Sequence, residues 1–110
     1  MRLSDTESEL RERAASFADE RVEPAAVEHE RNGTHPTDIV RAAAREGLTT
    51  ASLPAEYGGG GLGITGSLLV REELYAADPG IAEAITGSMF GCEIIAEDGS
   101  DAQAERWVRP

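Results

Sequence analysis

The stretch that decides the fold covers residues 78–99, with the sequence DPGIAEAITGSMFGCEIIAEDG. Between Glu83 and Glu93 it contains no charged residue, and as a helix it presents apolar side chains on nearly every side. These side chains are Ile81, Ala82, Ile85, Met89, Phe90, Cys92, Ile94, Ile95 and Ala96. A helix that is apolar all round is buried inside its protein. We therefore expect the other segments to pack around this one.

The ends of this helix carry residues with strong positional preferences. Asp78 can cap the N-terminus, and Pro79 suits the first helical position, where its missing N–H would have no partner anyway. Gly99 is placed to end the helix. The sequence thus predicts an all-α fold, an orthogonal bundle of about five helices around a buried central helix at residues 79–98.

A strip of small residues on the central helix needs an explanation. Gly87, Ser88 and Gly91 leave one side without bulky side chains, beside Met89 and Phe90. Glycine inside a helix is about 1 kcal/mol less favourable than alanine. One explanation is that another helix crosses closely at this strip. The other is that the strip forms the wall of a ligand cavity, and the sequence leaves both open.

The charge of the chain indicates an acidic surface on what is, by length, a single domain. The 110 residues carry a formal net charge of -11, and all ten basic residues are arginine. A dense acidic surface is typical of salt-adapted, halophilic proteins, in which concentrated salt screens the self-repulsion. The same field repels phosphate backbones, so we expect no nucleic-acid partner.

Neither a membrane span nor a targeting segment is evident. The longest uncharged run, residues 57–70, is interrupted by six glycines and is shorter than the roughly 18 apolar residues of a membrane span. The N-terminal sequence MRLSDTESELRER is charged and lacks the apolar core of a secretory signal. We therefore expect a cytoplasmic protein.

The segments before the central helix also predict helices. Residues 3–31 have amphipathic helical spacing, and Pro24 should kink or break that helix because it lacks a backbone donor. A second helix should open at Pro36 and stop at Gly47, with Ile39, Val40, Ala43 and Ala44 facing inward. Residues 49–54, TTASLP, have the only extended character in the chain.

A glycine-rich loop at residues 57–66 should precede a third helix, which Thr65 or Ser67 would cap. The loop matches the pattern GxGxxG, but a dinucleotide-binding fingerprint follows a strand, and this chain is helical on both sides. We therefore interpret the glycines as residues that allow positive φ and close backbone approach. Ser100 and Gln103 form a capping box that begins the last helix.

Few side chains suggest chemistry of their own. Cys92 is the single cysteine, which excludes an internal disulfide, and its apolar surroundings favour a small buried hydrophobic residue over a nucleophile. His29 has no second ligand at i+4, so we expect an exposed helical histidine and no metal site. Glu7 and Arg11 have the i,i+4 spacing of a surface ion pair.

Taken together, these segments resemble the N-terminal helical domain of the FAD-dependent acyl-CoA dehydrogenases. The most specific matches are PAEYGG at residues 54–59 with Gly61-Leu62 after it, the Glu72-Glu73 pair, and Gly99-Ser100 with Gln103 and Arg106. AAREGL at 43–48 and VEPAAVEHER at 22–31 also resemble the family. The resemblance extends over residues 10–110.

The resemblance implies α,β-dehydrogenation of acyl-CoA thioesters, with FAD as hydride acceptor and an electron-transfer acceptor for the flavin. In that family the catalytic glutamate lies in a C-terminal helical domain, and most flavin contacts come from a middle β-domain and the C-terminal helices. The resemblance therefore implies no catalytic and no cofactor-binding residue here. It also implies a homo-oligomer when the enzyme is complete. Within this chain it points to Thr86, Met89 and Phe90 as residues that line the acyl pocket.

The family's polypeptides are several times longer than this chain. Trp107 and Val108 lie on an amphipathic helix close to the C-terminus, so we expect residues 1–110 to be a truncated piece of such an enzyme, inactive alone. Two alternatives stay open, which are a stand-alone helical module that binds a partner and a remnant without function.

Overall fold

The computed structural model describes residues 2–109, which contain six α-helices and no β-strand. In chain order these are α1 (Asp5–Phe17), α2 (Ala26–Asn32), α3 (Thr37–Arg45), α4 (Gly63–Ala77), α5 (Pro79–Asp98) and α6 (Asp101–Trp107). A single 3-10 turn, Ala55–Tyr57, lies between α3 and α4. The predicted all-α class is confirmed, and α1 with α2 corresponds to the first predicted helix.

The first helix is interrupted around Pro24, as predicted. Ala18–Val22 form a π-helical turn, and Glu23–Ala25 form a 3-10 turn before α2 begins. Because Pro24 has no N–H to donate to the preceding turn, the regular α-helical pattern cannot continue through it. Val22 is fully buried nevertheless, so the irregular turns keep the inward side of this segment in the core.

Helix α3 stops as the sequence predicts. Gly47 has a φ of 74°, and the N–H of Leu48 donates to the carbonyl oxygen of Ala43 at 3.0 Å. This is the Schellman arrangement, with Leu48 fully buried as its apolar contact. The predicted inward side needs one correction, since Ala42 is buried whereas Ala44 is exposed.

Residues 49–54 form turns, so the predicted extended character is wrong. The glycine-rich segment runs back along these turns, and the N–H of Leu62 donates to the carbonyl oxygen of Ala51 at 3.1 Å. A Cβ on Gly59 would overlap the carbonyl oxygen of Leu53. Glycine is therefore required by the close approach of two backbone segments.

The irregular part of the glycine-rich loop is shorter than predicted. Helix α4 begins at Gly63, so Thr65 and Ser67 lie inside the helix and cap nothing. The start is set by backbone geometry, because Gly63 has a φ of 56° and the N–H of Gly66 donates to the carbonyl oxygen of Leu62. The loop therefore ends at Leu62.

Helix α5 has the predicted bounds and contacts four other helices, α2, α3, α4 and α6. The carboxylate of Asp78 caps it by accepting from the N–H of Ile81 at 2.8 Å. Its predicted burial on all sides is wrong in the C-terminal half, where Phe90 and Ile94 are more than half exposed. The reason is that the domain is thin. Its shortest dimension is 19 Å, which equals about two helix diameters, so it does not have enough layers to cover α5 on every side.

The core is divided into two clusters. The larger one joins α1, α3, α4 and the N-terminal half of α5 around residues such as Leu10 and Leu74. The smaller one packs Leu53, Ala104 and Val108 under the C-terminal half of α5. Within residues 2–109 no helix has both the length and the apolar character needed to span a membrane.

Three polar contacts, two at helix starts and one between helices, complete the fold. The predicted capping box of α6 is confirmed, since the hydroxyl of Ser100 accepts from the N–H of Gln103. Arg11 does not use Glu7, its expected i,i+4 partner. Its Nε donates to the carboxylate of Glu73 at 2.8 Å and so links α1 to α4, whereas Glu7 closes a capping box at the start of α1.

Candidate functional site

The outer side of the α4–α5 pair is the strongest candidate site, and two contacts fix how the helices align. The Tyr75 hydroxyl donates to the carboxylate of Glu83. One turn earlier on α4, Arg71 lies against Thr86 and Phe90, which come later on α5. The helices therefore run antiparallel.

This alignment brings apolar side chains together on the outside of the pair. It places Leu68 level with Phe90 and Ile64 level with Ile94. The four side chains are 57%, 59%, 70% and 60% exposed, respectively. We call these four residues, with Arg71, Gly87 and Gly91, the α4/α5 face. Exposed apolar side chains gathered on one face make that face a candidate for binding a ligand or a partner.

The glycine strip lies open on this face. A Cβ on Gly91 would meet no atom within 4 Å, and one on Gly87 would meet only the carboxylate of Glu83, at 3.9 Å. No described element of the chain crosses α5 at this strip. The explanation by a close helix crossing is therefore wrong within residues 2–109, and the explanation by a cavity wall stays a prediction.

Arg71 connects the two helices at the centre of the face. Its Nε donates to the hydroxyl oxygen of Ser67 at 3.2 Å, and its Nη1 donates to that of Thr86 at 3.5 Å. Its guanidinium carbon lies 5.0 Å from the centroid of the Phe90 ring, within the range of a cation–π contact. Ser67 and Thr86 are both buried, so the guanidinium also satisfies hydroxyl groups that water cannot reach.

The three residues that resemblance assigns to the acyl pocket occupy different depths. Thr86 and Met89 are 0% and 1% exposed, and Phe90 belongs to the α4/α5 face. Thr86 and Met89 therefore support the face from behind, whereas Phe90 forms part of its surface. Sequence reasoning missed Arg71, although it is the first charge after the uncharged run 57–70 and lies one helical turn from Ser67.

Two open cavities border the face. One groove of about 480 Å³ is lined by Leu68, Arg71, Glu72 and Tyr75. The other, of about 370 Å³, lies between the loop and α5 and is lined by Ser52, Leu53, Pro54, Gly63, Ile64, Glu93, Ala96 and Glu97. These volumes suit a small ligand, although such sites are usually enclosed on more sides. A ligand on this face would need a further wall.

Other groups with potential chemistry are engaged elsewhere. Burial raises the pKa of the Cys92 thiol, and the charge of Glu93 raises it further, so the reactive thiolate is disfavoured. His29 is half-buried, which corrects the predicted exposure, and its Nδ1 lies 2.8 Å from the hydroxyl of Thr34 at the end of α2. In the described part of the chain, no group of three or more His, Cys, Asp or Glu residues could hold a metal ion.

The glycine-rich segment does not have the structure of a dinucleotide-binding loop. It follows turns, and a Cβ on Gly60 or Gly66 would press on the backbone of Ala51. The space beside these glycines is therefore filled by the protein itself. A phosphate-binding loop instead leaves such space to the phosphates.

An all-helical domain with an open apolar wall agrees with the class of protein that the sequence resembles. A sequence model described as acyl-CoA dehydrogenase, N-terminal domain, matches residues 4–110. This chain belongs to the acyl-CoA dehydrogenase family, of which it contains the N-terminal domain.

Curated relatives share this domain across different activities. A (2S)-methylsuccinyl-CoA dehydrogenase of Cereibacter sphaeroides is 38% identical over 100 residues, which are 90% of this chain and 18% of that protein. A 3-sulfinopropanoyl-CoA desulfinase of Paraburkholderia xenovorans is 32% identical over 97% of this chain and 28% of its own length. Acyl-CoA dehydrogenase FadE12 of Mycobacterium tuberculosis is 30% identical over 96% of this chain and 27% of its own length. The chain thus spans less than a third of the length of these relatives.

Proposed function

We propose that this chain is the N-terminal domain of a flavin-dependent acyl-CoA dehydrogenase, and that its α4/α5 face forms part of the acyl-pocket wall. The observation that carries the proposal is the combination of four exposed apolar side chains with an open glycine strip. A saturated acyl chain is apolar and slender, so it can lie along a strip where no side chain projects. Dehydrogenation is one of the activities named for the relatives of this chain.

Within this proposal the described residues bind and position the substrate. The Phe90 ring forms a wall against the acyl chain, and the buried Thr86 and Met89 fix the backbone that carries it. Dehydrogenation requires a base near the α-carbon of the thioester. By resemblance that base lies outside this chain, so we assign no catalytic residue to it.

FAD belongs to the complete enzyme in this proposal, where it would supply the hydride acceptor for the β-hydrogen. In the glycine-rich segment, the space beside Gly59, Gly60 and Gly66 is occupied by the protein's own backbone and side chains, so these three glycines do not form a cradle for it. An electron-transfer acceptor, homo-oligomeric assembly and a cytoplasmic location are further parts of the same proposal.

The activities of the relatives do not fix the substrate. They include a dehydrogenase, a desulfinase and a 3-(aryl)acrylate reductase from Clostridium sporogenes. Of these activities we favour dehydrogenation, because the (2S)-methylsuccinyl-CoA dehydrogenase is 38% identical to this chain.

The first test is the native polypeptide, captured from its source cells with an antibody against this domain. We expect an intact mass several times the 11.7 kDa of the chain and flavin that co-purifies and is bleached by an acyl-CoA. A flavin-free polypeptide that does not oxidise any acyl-CoA would overturn the proposal.

The pocket wall is tested by filling the strip in the purified enzyme. Gly91→Leu places a side chain on the open face and should raise the KM for long acyl-CoAs more than for short ones. Ala44→Leu, on the exposed side of α3, is the matched control and should leave the KM unchanged for both. Equal KM values for Gly91→Leu and the wild type would contradict the pocket wall.

A stand-alone interaction module is the second candidate, and the same exposed face favours it. Trp107 is 58% exposed as well, although it lies on α6. The two candidates differ in the mass experiment, because a module of 11.7 kDa would be captured with a separate partner and would carry no catalytic domain in the same polypeptide.

A further inference from the structure

Arg71 has donor groups that the described chain does not use. A guanidinium carries five N–H donors in a rigid planar fork and accepts no hydrogen bond. Ser67 and Thr86 each accept one bond from it, and the remaining N–H groups have no hydrogen-bond partner among residues 2–109. The side chain is also held in place by the Phe90 ring. It is therefore a positioned cation with free donors.

Two carboxylates close to Arg71 have other partners, and a third, Glu72, lines the same groove without an ion pair to Arg71. Glu83 accepts from Tyr75, and Glu73 pairs with Arg11 across the α1–α4 interface. In the described part of the chain, no carboxylate forms an ion pair with Arg71, although the chain contains 21 acidic residues. Arg71 is half-buried and its guanidinium lies over the Phe90 ring, so water screens its attraction for a counter-charge less than in bulk solution.

We propose that Arg71 binds a carboxylate at the far end of the acyl chain, so that the enzyme acts on acyl-CoA thioesters whose acyl group ends in a carboxylate. The inference rests on the proposed function, since it requires the acyl group to lie along the α4/α5 face. The planar fork of arginine matches the two oxygens of a carboxylate. Leu68 and Phe90 would then contact the methylene groups that separate the carboxylate from the thioester.

The test compares substrates of equal length with the native flavoprotein. The measured quantity is kcat/KM for succinyl-CoA divided by kcat/KM for butyryl-CoA. We expect the wild type to favour succinyl-CoA, and Arg71→Gln to lower the ratio by roughly 10- to 100-fold, since the variant loses a charge-assisted hydrogen bond. Arg71→Lys keeps the charge but loses the planar fork, so its ratio should lie between those of the wild type and Arg71→Gln.

Arg41→Gln is the matched control, because Arg41 is an exposed arginine on α3 and is not part of the α4/α5 face. It should leave the ratio unchanged. A wild type that prefers butyryl-CoA would overturn the inference even if the Arg71 variants do not fold. Equal losses of both activities in Arg71→Gln would also overturn it, since they would show a purely structural role.

These outcomes separate the inference from the proposed function. Activity with butyryl-CoA alone would leave the acyl-CoA dehydrogenase in place and remove only the role of Arg71. Absence of activity with every acyl-CoA tested would remove the proposed function, and the inference with it.

Discussion

The two sides of α4 differ in how they are closed. On the side toward α1, Val70 and Leu74 are fully buried, and the Arg11–Glu73 ion pair spans the interface. On the outer side, Leu68 is more than half exposed, and Arg71 has no acidic partner among the described residues. Each side thus combines apolar residues with one arginine. The described chain therefore covers the inner side of α4 itself and leaves the outer side exposed.

The largest expected effect comes from truncating equivalent residues on the two sides of α5. Ile85 is fully buried and Ile94 is 60% exposed. Ile85→Ala should lower the free energy of unfolding of the chain by about 2–5 kcal/mol, because it leaves a cavity in the core. Ile94→Ala should change it by less than about 0.5 kcal/mol, as surface substitutions do. Urea unfolding followed by circular dichroism measures both, and equal losses would show that the face is closed in solution.

Glycine substitutions should differ in sign between the two regions. Gly59→Ala would overlap the carbonyl oxygen of Leu53 and should destabilise the chain by about 1–3 kcal/mol. Gly91→Ala meets no atom within 4 Å and should stabilise α5 by about 1 kcal/mol, because alanine is the better helix former. Thermal unfolding of the two variants decides this. Destabilisation by Gly91→Ala would mean that something already lies against the strip.

A matched pair of serines should give a smaller difference. Ser100 caps α6, the helix that packs against the C-terminal half of α5. Ser88 is exposed on α5 itself. Ser100→Ala should lower the free energy of unfolding by about 1 kcal/mol through loss of the cap. Ser88→Ala should raise it slightly, since alanine has the higher helix propensity. A stabilising Ser100→Ala would contradict the capping box.

The smallest expected effect arises from the acidic surface as a whole and from no single residue. We propose that this surface is an adaptation to salt. With a net charge of -11, the chain should gain helical circular dichroism as salt rises, because screening reduces self-repulsion. Near pH 4.5, where the net charge of the chain is close to zero, the same salt should have a much smaller effect. Indifference to salt at neutral pH would refute the adaptation.

Local patterns predicted the helices well because their determinants lie close in sequence. The cap at Asp78, the Schellman stop at Gly47 and the capping box at Ser100 each depend on residues within one or two turns. The start of α4 was missed for the opposite reason. It depends on backbone hydrogen bonds between the glycine-rich segment and residues 50–53. No residue pattern near Gly63 reveals this pairing.

The candidate site could be predicted only in part. Resemblance pointed to Thr86, Met89 and Phe90, and periodicity placed them on one helix. Their depths could not be read from that helix alone, because burial depends on which sides α4 and the other helices cover. Arg71 was missed for the same reason, since its role arises from contacts with Thr86 and Phe90 on a different helix.

The sequence by itself determined the all-α class, the bounds of α5 and the family, because helix periodicity, capping residues and motif spacing are local properties. Only the tertiary structure decided that half of α5 is exposed, that Gly87 and Gly91 are uncovered and that Arg71 lies among Ser67, Thr86 and Phe90. The apolar residues of a helix indicate how much of its surface favours burial. Which part is buried depends on the number of layers the chain can build, and this chain builds about two.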